Sequence, residues 1–231
     1  MAEFDQYGST YDPQISRAVR LSGQEHDFFL QVKAEVLAEL LARRFGDRDL
    51  RVLDVGCGNG GLHRFLLSAA PGIRLTGIEV AAGFVDAART ANPTVRYELY
   101  DGQGLPYRDA TFDAAVTVCV LHHVPPAQWP AFVAELRRVV RPGGTVAVFE
   151  HNPLNPVTAH IVRTCPIDRD AVLLSAPRVD RLLRDAGLPD ARHEFILFTP
   201  FKSPAFRRLD RLISWLPLGA QYVSSASVPP D

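Results

Sequence analysis

Apolar residues first gather at helical spacing between Ser22 and Gly46, where Phe28, Val32, Val36 and Leu40 recur together with Phe29, Leu37 and Leu41. Ser22 followed three positions later by Glu25 is a capping-box pattern, and Gly46 suits a helix end, so the spacing predicts one long helix to about Phe45. The pattern then shortens to apolar runs at 51–55, 75–78, 95–100 and 114–120, which predict strands. Between them, Leu62, Phe65 and Leu66 up to Pro71, and the stretch 83–91, repeat at helical spacing. Pro126 opens a further helix through Phe132, Leu136 and Val139, which Arg141-Pro142-Gly143-Gly144 ends before a strand at 145–149. A helix at 179–186 stopping at Gly187, a strand at 193–198, helical spacing from Phe206 to Leu216 and a weaker strand at 220–228 complete the series. Strands that alternate with helices predict parallel βαβ units: an α/β, Rossmann-like sheet covered by helices on both faces.

The 231 residues and 47% apolar content suit one domain with one large core. The 25 basic and 26 acidic residues leave a formal charge of -1, so no footprint for a nucleic acid backbone is expected. Cys57, Cys119 and Cys165 are odd in number and widely spaced, without a CxxC or Cys/His pairing, so a reducing, cytoplasmic setting and no metal site are expected. The opening residues are polar, and no uninterrupted apolar stretch reaches membrane length, so neither secretion nor membrane insertion is expected. Up to Leu21 the chain carries Tyr7, Tyr11 and Pro13 among polar residues and reads as an arm.

Asp54-Val55-Gly56-Cys57-Gly58-Asn59-Gly60-Gly61 falls between a predicted strand and a predicted helix. Missing Cβ atoms let a backbone approach a ligand at a helix N-terminus, and Gly56, Gly58 and Gly61 match the G-x-G-x-x-G spacing of dinucleotide binders. Glu79, about 20 residues on at the end of the second strand, suits a ribose diol. Asp54 separates the two ligand classes that carry such a ribose. Beside a pyrophosphate it would stand unpaired, whereas it would attract the ammonium of S-adenosylmethionine (SAM). The plainer alternative is that Asp54 only caps the turn that the glycines close.

Val52 to Gly60 closely resembles motif I of the class I SAM-dependent methyltransferases. The resemblance continues through Gly77-Ile78-Glu79-Val80, then 100–107, then Phe112-Asp113-Ala114 leading into Val120-Leu121-His122-His123-Val124, and then 136–144. It implies a mainly parallel seven-stranded sheet, SAM as cofactor and S-adenosylhomocysteine (SAH) as product. It also implies that Gly56 and Gly58 line the methionyl part, Glu79 holds the ribose, Val80 packs on the adenine, and Asp101, followed by Gly102, accepts from the adenine amino group. Segments 22–25, 150–156 and 216–222 resemble a bacterial subgroup of these enzymes for which no substrate is settled. On this reading residues 1–231 form a single methyltransferase domain, in which 1–45 are an arm and helix over the cofactor and 200–219 an inserted helix before the last strand.

Methyl transfer needs an aligned nucleophile and, where that nucleophile carries a proton, a base. His122 and His123 follow the fourth strand and His151 the fifth, at the carboxyl end of the sheet, so these three are candidate bases. Asn152 and Asn155 are expected to cap turns, since the Asn-Pro-Pro-Tyr type motif of DNA amino-methyltransferases belongs after the fourth strand instead. Tyr7 and Tyr11 could cover the sulfonium by cation–π contact. Cys57 and Cys119 are expected to pack near SAM as small apolar groups, and His26, His63, His160 and His193 as surface or packing residues. The basic amphipathic stretch with Lys202, Arg207, Arg208 and Arg211 is expected to cover the sheet, with a membrane surface or a greasy substrate as the alternative. The partner is a small-molecule acceptor, methylated on oxygen, nitrogen or carbon, and a homodimer is kept open. Two alternatives remain: a cyclase or rearrangement catalyst on the same fold, and a non-catalytic SAM-binding subunit.

Overall fold

The computed structural model describes residues 24–201 and 203–230. Its sheet has seven strands: β1 (Leu50–Val55), β2 (Ile73–Glu79), β3 (Arg96–Leu99), β4 (Phe112–Val118), β5 (Val140–His151), β6 (Arg192–Ile196) and β7 (Gln221–Ser227). They lie in the order β3-β2-β1-β4-β5-β7-β6, and β7 runs antiparallel to both of its neighbours. The other pairings are parallel, as the alternation of strands and helices predicts. The order reverses between β1 and β4, and a crevice at such a switch point, outside the carboxyl ends of the strands, is where ligands of open α/β sheets bind.

Side chains alternate along each strand, so both faces must be covered. On one face, Val52, Val116 and Phe149 pack with α1 (His26–Phe45), α2 (His63–Ala69) and α3 (Ala82–Ala91), through Phe28, Leu37, Leu66 and Val85. On the other, Leu53, Ala115 and Val148 pack with α4 (Trp129–Val139) and α6 (Ala176–Asp185), through Val133, Leu136, Val179 and Leu183. Helix α5 (Pro156–Thr164) follows β5, and α7 (Pro204–Leu212) precedes β7.

Several boundaries differ from the sequence expectation for identifiable reasons. Helix α1 starts at His26 with Glu25 as its cap and no side-chain cap bond, so the capping box is not what starts it; Ser22 lies outside the described residues. It does end at Gly46, where φ is +67°. Arg141-Pro142-Gly143-Gly144 does not separate helix from strand. It is a bulged part of β5, where Phe112 pairs with Val140 but Ala114 pairs with Thr145. Strand β4 stops at Val118, because Cys119 turns the chain out of the sheet at φ +57°. Helix α5 was not foreseen, since 152–156 reads as a turn; Pro156 is its first residue, and the Asn155 side chain accepts from the backbone of Val157 and Thr158. Helix α7 touches α1, with Arg207 over the Phe28 ring and Arg211 paired with Glu39, and Ser214, just beyond its end, accepts from the Phe195 N–H of β6. No helix among the described residues is long and apolar enough to cross a membrane.

Candidate active site

Strand β1 delivers the chain into the glycine turn, where Gly56, Gly58 and Gly60 all have positive φ. At Gly56 a Cβ would meet Val120 Cγ2 at 2.5 Å, so a side chain is barred twice, by space and by backbone conformation. Gly58 has open space where its Cβ would be, and it borders a cavity of about 610 Å3. Glu79, at the end of β2, is 7% exposed on the same cavity wall. Its carboxylate accepts from the backbone N–H of Gly58 at 2.9 Å, of Val80 at 2.7 Å and of Ala81 at 3.2 Å. Burial raises its pKa against the pull of those three donors.

A buried polar chain holds this turn from behind. The Asn92 amide donates to the carbonyl of Gly60 and to the Tyr97 hydroxyl, each at 3.1 Å. His63 then joins the Tyr97 hydroxyl, 2.5 Å from Nδ1, to Asp54 Oδ2, 2.9 Å from Nε2. The tautomer with the proton on Nε2 satisfies both ring nitrogens: Tyr97 donates to Nδ1 and Nε2 donates to the carboxylate. His63 is therefore neither a surface residue nor mere packing; it is fully buried at the start of α2 and joins β1 to β3 beneath the glycine turn.

The sequence-predicted residues divide into three groups. Gly56, Gly58, Glu79, Val80 and Gly102 line the cavity, and so do Cys119, His122, His123 and His151. Asp54 does not reach the lining: it is 2% exposed beneath the turn, with Oδ1 lacking a partner. Cys57 is likewise set back, its thiol pushed up by burial and then by Asp54 and Glu79. Asp101 is exposed and closes its own turn by accepting from the Gln103 N–H at 3.0 Å, rather than lining the cavity. Tyr7, Tyr11 and Lys202 lie outside the described residues.

The three histidines form one cluster with two carboxylates. Glu150, fully buried on β5, lies 2.5 Å from His122 Nδ1 and also accepts from the backbone N–H of His122. Asp168, in the turn after α5, places Oδ1 3.7 Å from His122 Nε2 and 3.4 Å from His123 Nε2. The ring centroids of His122 and His123 are 4.1 Å apart, and those of His122 and His151 5.1 Å. Burial opposes a charge on His122, but Glu150 and Asp168 outweigh it and push the ring up to about 10. An imidazolium has no lone pair to receive a proton, which removes His122 from the candidate bases. Burial, and then the His122 charge, hold His123 and His151 down at about 4, so both are neutral near neutral pH. Burial would raise Glu150 and Asp168, yet the histidines hold both carboxyls below the usual range.

Sequence reasoning missed Glu150, Asp168 and the His63 network. The signal for Glu150 was an ionisable residue ending a run of strongly apolar strand positions, 146–149.

The comparisons agree with this geometry. A family model described as a methyltransferase domain matches residues 52–144. The chain is 31% identical over 189 residues to 27-O-demethylrifamycin SV methyltransferase of Amycolatopsis mediterranei, covering 76% of this chain and 67% of that protein. It spans a smaller share of the other curated relatives, such as 40% and 50% of two of them. Among solved structures, it superposes on the chain in complex with the Haloferax volcanii Trm112 methyltransferase activator with a TM-score of 0.69 at 21% identity, over 98% of both chains. It superposes on a SAM-dependent methyltransferase of Thermotoga maritima with a TM-score of 0.65 at 20% identity, over 97% of this chain and 98% of that one. With the glycine turn, the buried Glu79 and the histidine-bearing loops around one cavity at the switch point, the chain belongs to the class I SAM-dependent methyltransferases.

Proposed function

We propose that this chain transfers the methyl group of SAM to a hydroxyl oxygen of a small, largely apolar acceptor. One observation carries the reading: the glycine turn with Glu79 and the histidines His123 and His151 line a single cavity. The residues present suit the cofactor. Gly58 offers an unfilled backbone cradle, and Glu79 is an acceptor-only group at the wall where a ribose diol would donate. Val80 and Phe84 supply apolar surface for a flat ring. SAM, when bound, supplies a methyl group already activated by the sulfonium charge.

The chain's own residues then have three tasks. Glu79 and the glycine turn fix the donor, Val120, Phe132, Ile161 and Ile167 give the remaining wall its apolar character, and His151 receives the acceptor's proton. The Gln221 amide lies 3.2 Å from His151 Nδ1, and Gln221 Oε1 otherwise lacks a partner. With that oxygen turned towards the ring, Nδ1 carries the proton and Nε2 is left basic. A weak base suffices, because the hydroxyl proton becomes strongly acidic as the C–O bond forms. The relative that acts on a rifamycin precursor supports an oxygen acceptor on a small molecule.

The test is incubation with SAM and a panel of phenolic, sugar and macrolactam acceptors, followed by mass spectrometry. A product heavier by one methylene together with SAH release is expected. An isomer of unchanged mass without SAH would replace this reading by the cyclase one.

A further inference from the structure

We propose that His122, His123 and Asp168 hold a divalent metal ion of the zinc type in the cavity wall, as a Lewis acid for the acceptor oxygen. The metal site stands on the cluster alone; its catalytic role rests on the methyltransferase reading above. One ligand atom from each of the three residues lies within 4.8 Å of the others. Asp168 Oδ1 is 3.4 Å from His123 Nε2 and 3.7 Å from His122 Nε2. Charge-assisted N–H···O bonds are shorter, about 2.7–2.9 Å. Two ligand atoms bonded at about 2.0–2.1 Å to a tetrahedral ion stand roughly 3.3–3.4 Å apart, close to what is observed.

The surroundings are built for such an ion. Glu150 grips His122 at Nδ1 and is itself held by the backbone N–H groups of His122 and His151, so the ring is fixed with Nε2 turned towards Asp168. A carboxylate behind a ligating histidine orients the ring and raises its basicity. Two carboxylates, Glu150 and Asp168, face this spot from β5 and from the turn after α5, which favours a cation between them. Two imidazoles and one carboxylate suit borderline divalent ions, the ion taking the place of the His122 Nε2 proton, which is released to solvent on binding, while Nδ1–H stays on Glu150. Three protein ligands leave a position open towards the cavity, as in catalytic rather than structural sites.

The chemistry balances without redox change. The acceptor hydroxyl occupies the open position, its proton passes to His151, and its oxygen lone pair forms the new bond to the methyl carbon. The electrons of the broken C–S bond return to sulfur, giving SAH, and the ion is unchanged.

The sequence could not show this site, because Asp168 joins the histidines only through the path of α5. The full chain without a histidine tag, stripped by a chelator, is titrated with Zn2+ by calorimetry and with Co2+ by visible absorption. One ion per chain is expected, with tetrahedral Co2+ bands. Asp168→Asn and His123→Ala should abolish stoichiometric binding, Glu150→Gln should weaken it roughly 10–100-fold, and exposed His160→Ala should leave it unchanged. Circular dichroism melts confirm that each variant is folded. No stoichiometric ion in the wild type, or wild-type affinity in Asp168→Asn, overturns the proposal. SAH titrated in parallel separates the two readings: SAH binding without the metal sinks only the metal site, and binding of neither sinks the methyltransferase reading as well.

Discussion

Replacing His63 by leucine would show how much the polar chain beneath the glycine turn contributes. The ring is wholly buried between Asp54 Oδ2 and the Tyr97 hydroxyl, and Asp54 Oδ1 already has no partner. Leucine fills much of the imidazole volume but takes away the donor, leaving a carboxylate 2% exposed without its side-chain hydrogen bond. Leaving a buried charged acceptor without its hydrogen-bond donor costs roughly 1.5–3 kcal/mol. At about 2–4 °C per kcal/mol for a chain of this size, the melting temperature should fall by roughly 3–12 °C. Asp54→Asn keeps an oxygen for His63 and should cost only about 1 kcal/mol. In the Asp54→Leu, His63→Leu double variant the stranded carboxylate is gone, so it should be more stable than His63→Leu alone, with a coupling of about 1–3 kcal/mol in the cycle. Urea and thermal unfolding followed by circular dichroism measure all four proteins. A His63→Leu variant within about 1 kcal/mol of wild type, or strictly additive effects, would refute the account.

Two further outcomes are expected. Glu79→Gln exchanges a charge-assisted acceptor for an amide and should weaken SAH binding by roughly 10–150-fold, about 1.5–3 kcal/mol; calorimetry showing unchanged affinity would detach Glu79 from the cofactor. Asp113 concerns stability against acid: burial opposes its charge, but the Arg51 N–H at 2.7 Å, Arg141 Nε at 2.6 Å and both guanidinium charges hold its carboxyl below the usual range. A depressed folded pKa means that the stabilisation is present above the unfolded value near pH 4 and is lost as pH falls through the folded one. Asp113→Asn should thus be less stable than wild type near neutral pH and converge with it as pH falls through the depressed folded value, and a gap independent of pH in urea melts would count against the assignment.

The fold was legible because its signals are local. Each strand is a short apolar run between turn residues, and every helix but α5 shows its own spacing, so the seven-strand sheet follows without knowledge of its order. The glycine turn was legible for the same reason: positive φ and close approach are demands that a single segment makes on its own residues. Boundaries failed where a long-range pairing overrode local chemistry. Arg141-Pro142-Gly143-Gly144 carries every sign of a break, yet β4 and β7 on either side draw it into β5 as a bulge. Asp54 illustrates a different limit. Its position beside the glycines suggested direct contact with a ligand, but its side chain points to His63, a residue that nothing in the pattern of α2 distinguishes from packing.

The histidine cluster shows where a sharper reading was available. In β5 the positions before Glu150 are apolar and fully enclosed, and an isolated carboxylate at the next one would cost several kcal/mol. A cationic partner therefore had to come from the carboxyl end of a neighbouring strand. Strand β4 is that neighbour, and the first basic groups after it are His122 and His123. From Glu150 alone, then, follows a His122 held towards its charged form, while burial first and the His122 charge second hold His123 and His151 down. What does not follow is Asp168, because its approach depends on Asn155 starting α5 and on the turn that ends it. The second carboxylate turns a single ion pair into a site with negative charge in excess, and so decides between a merely structural histidine pair and one that can hold a cation.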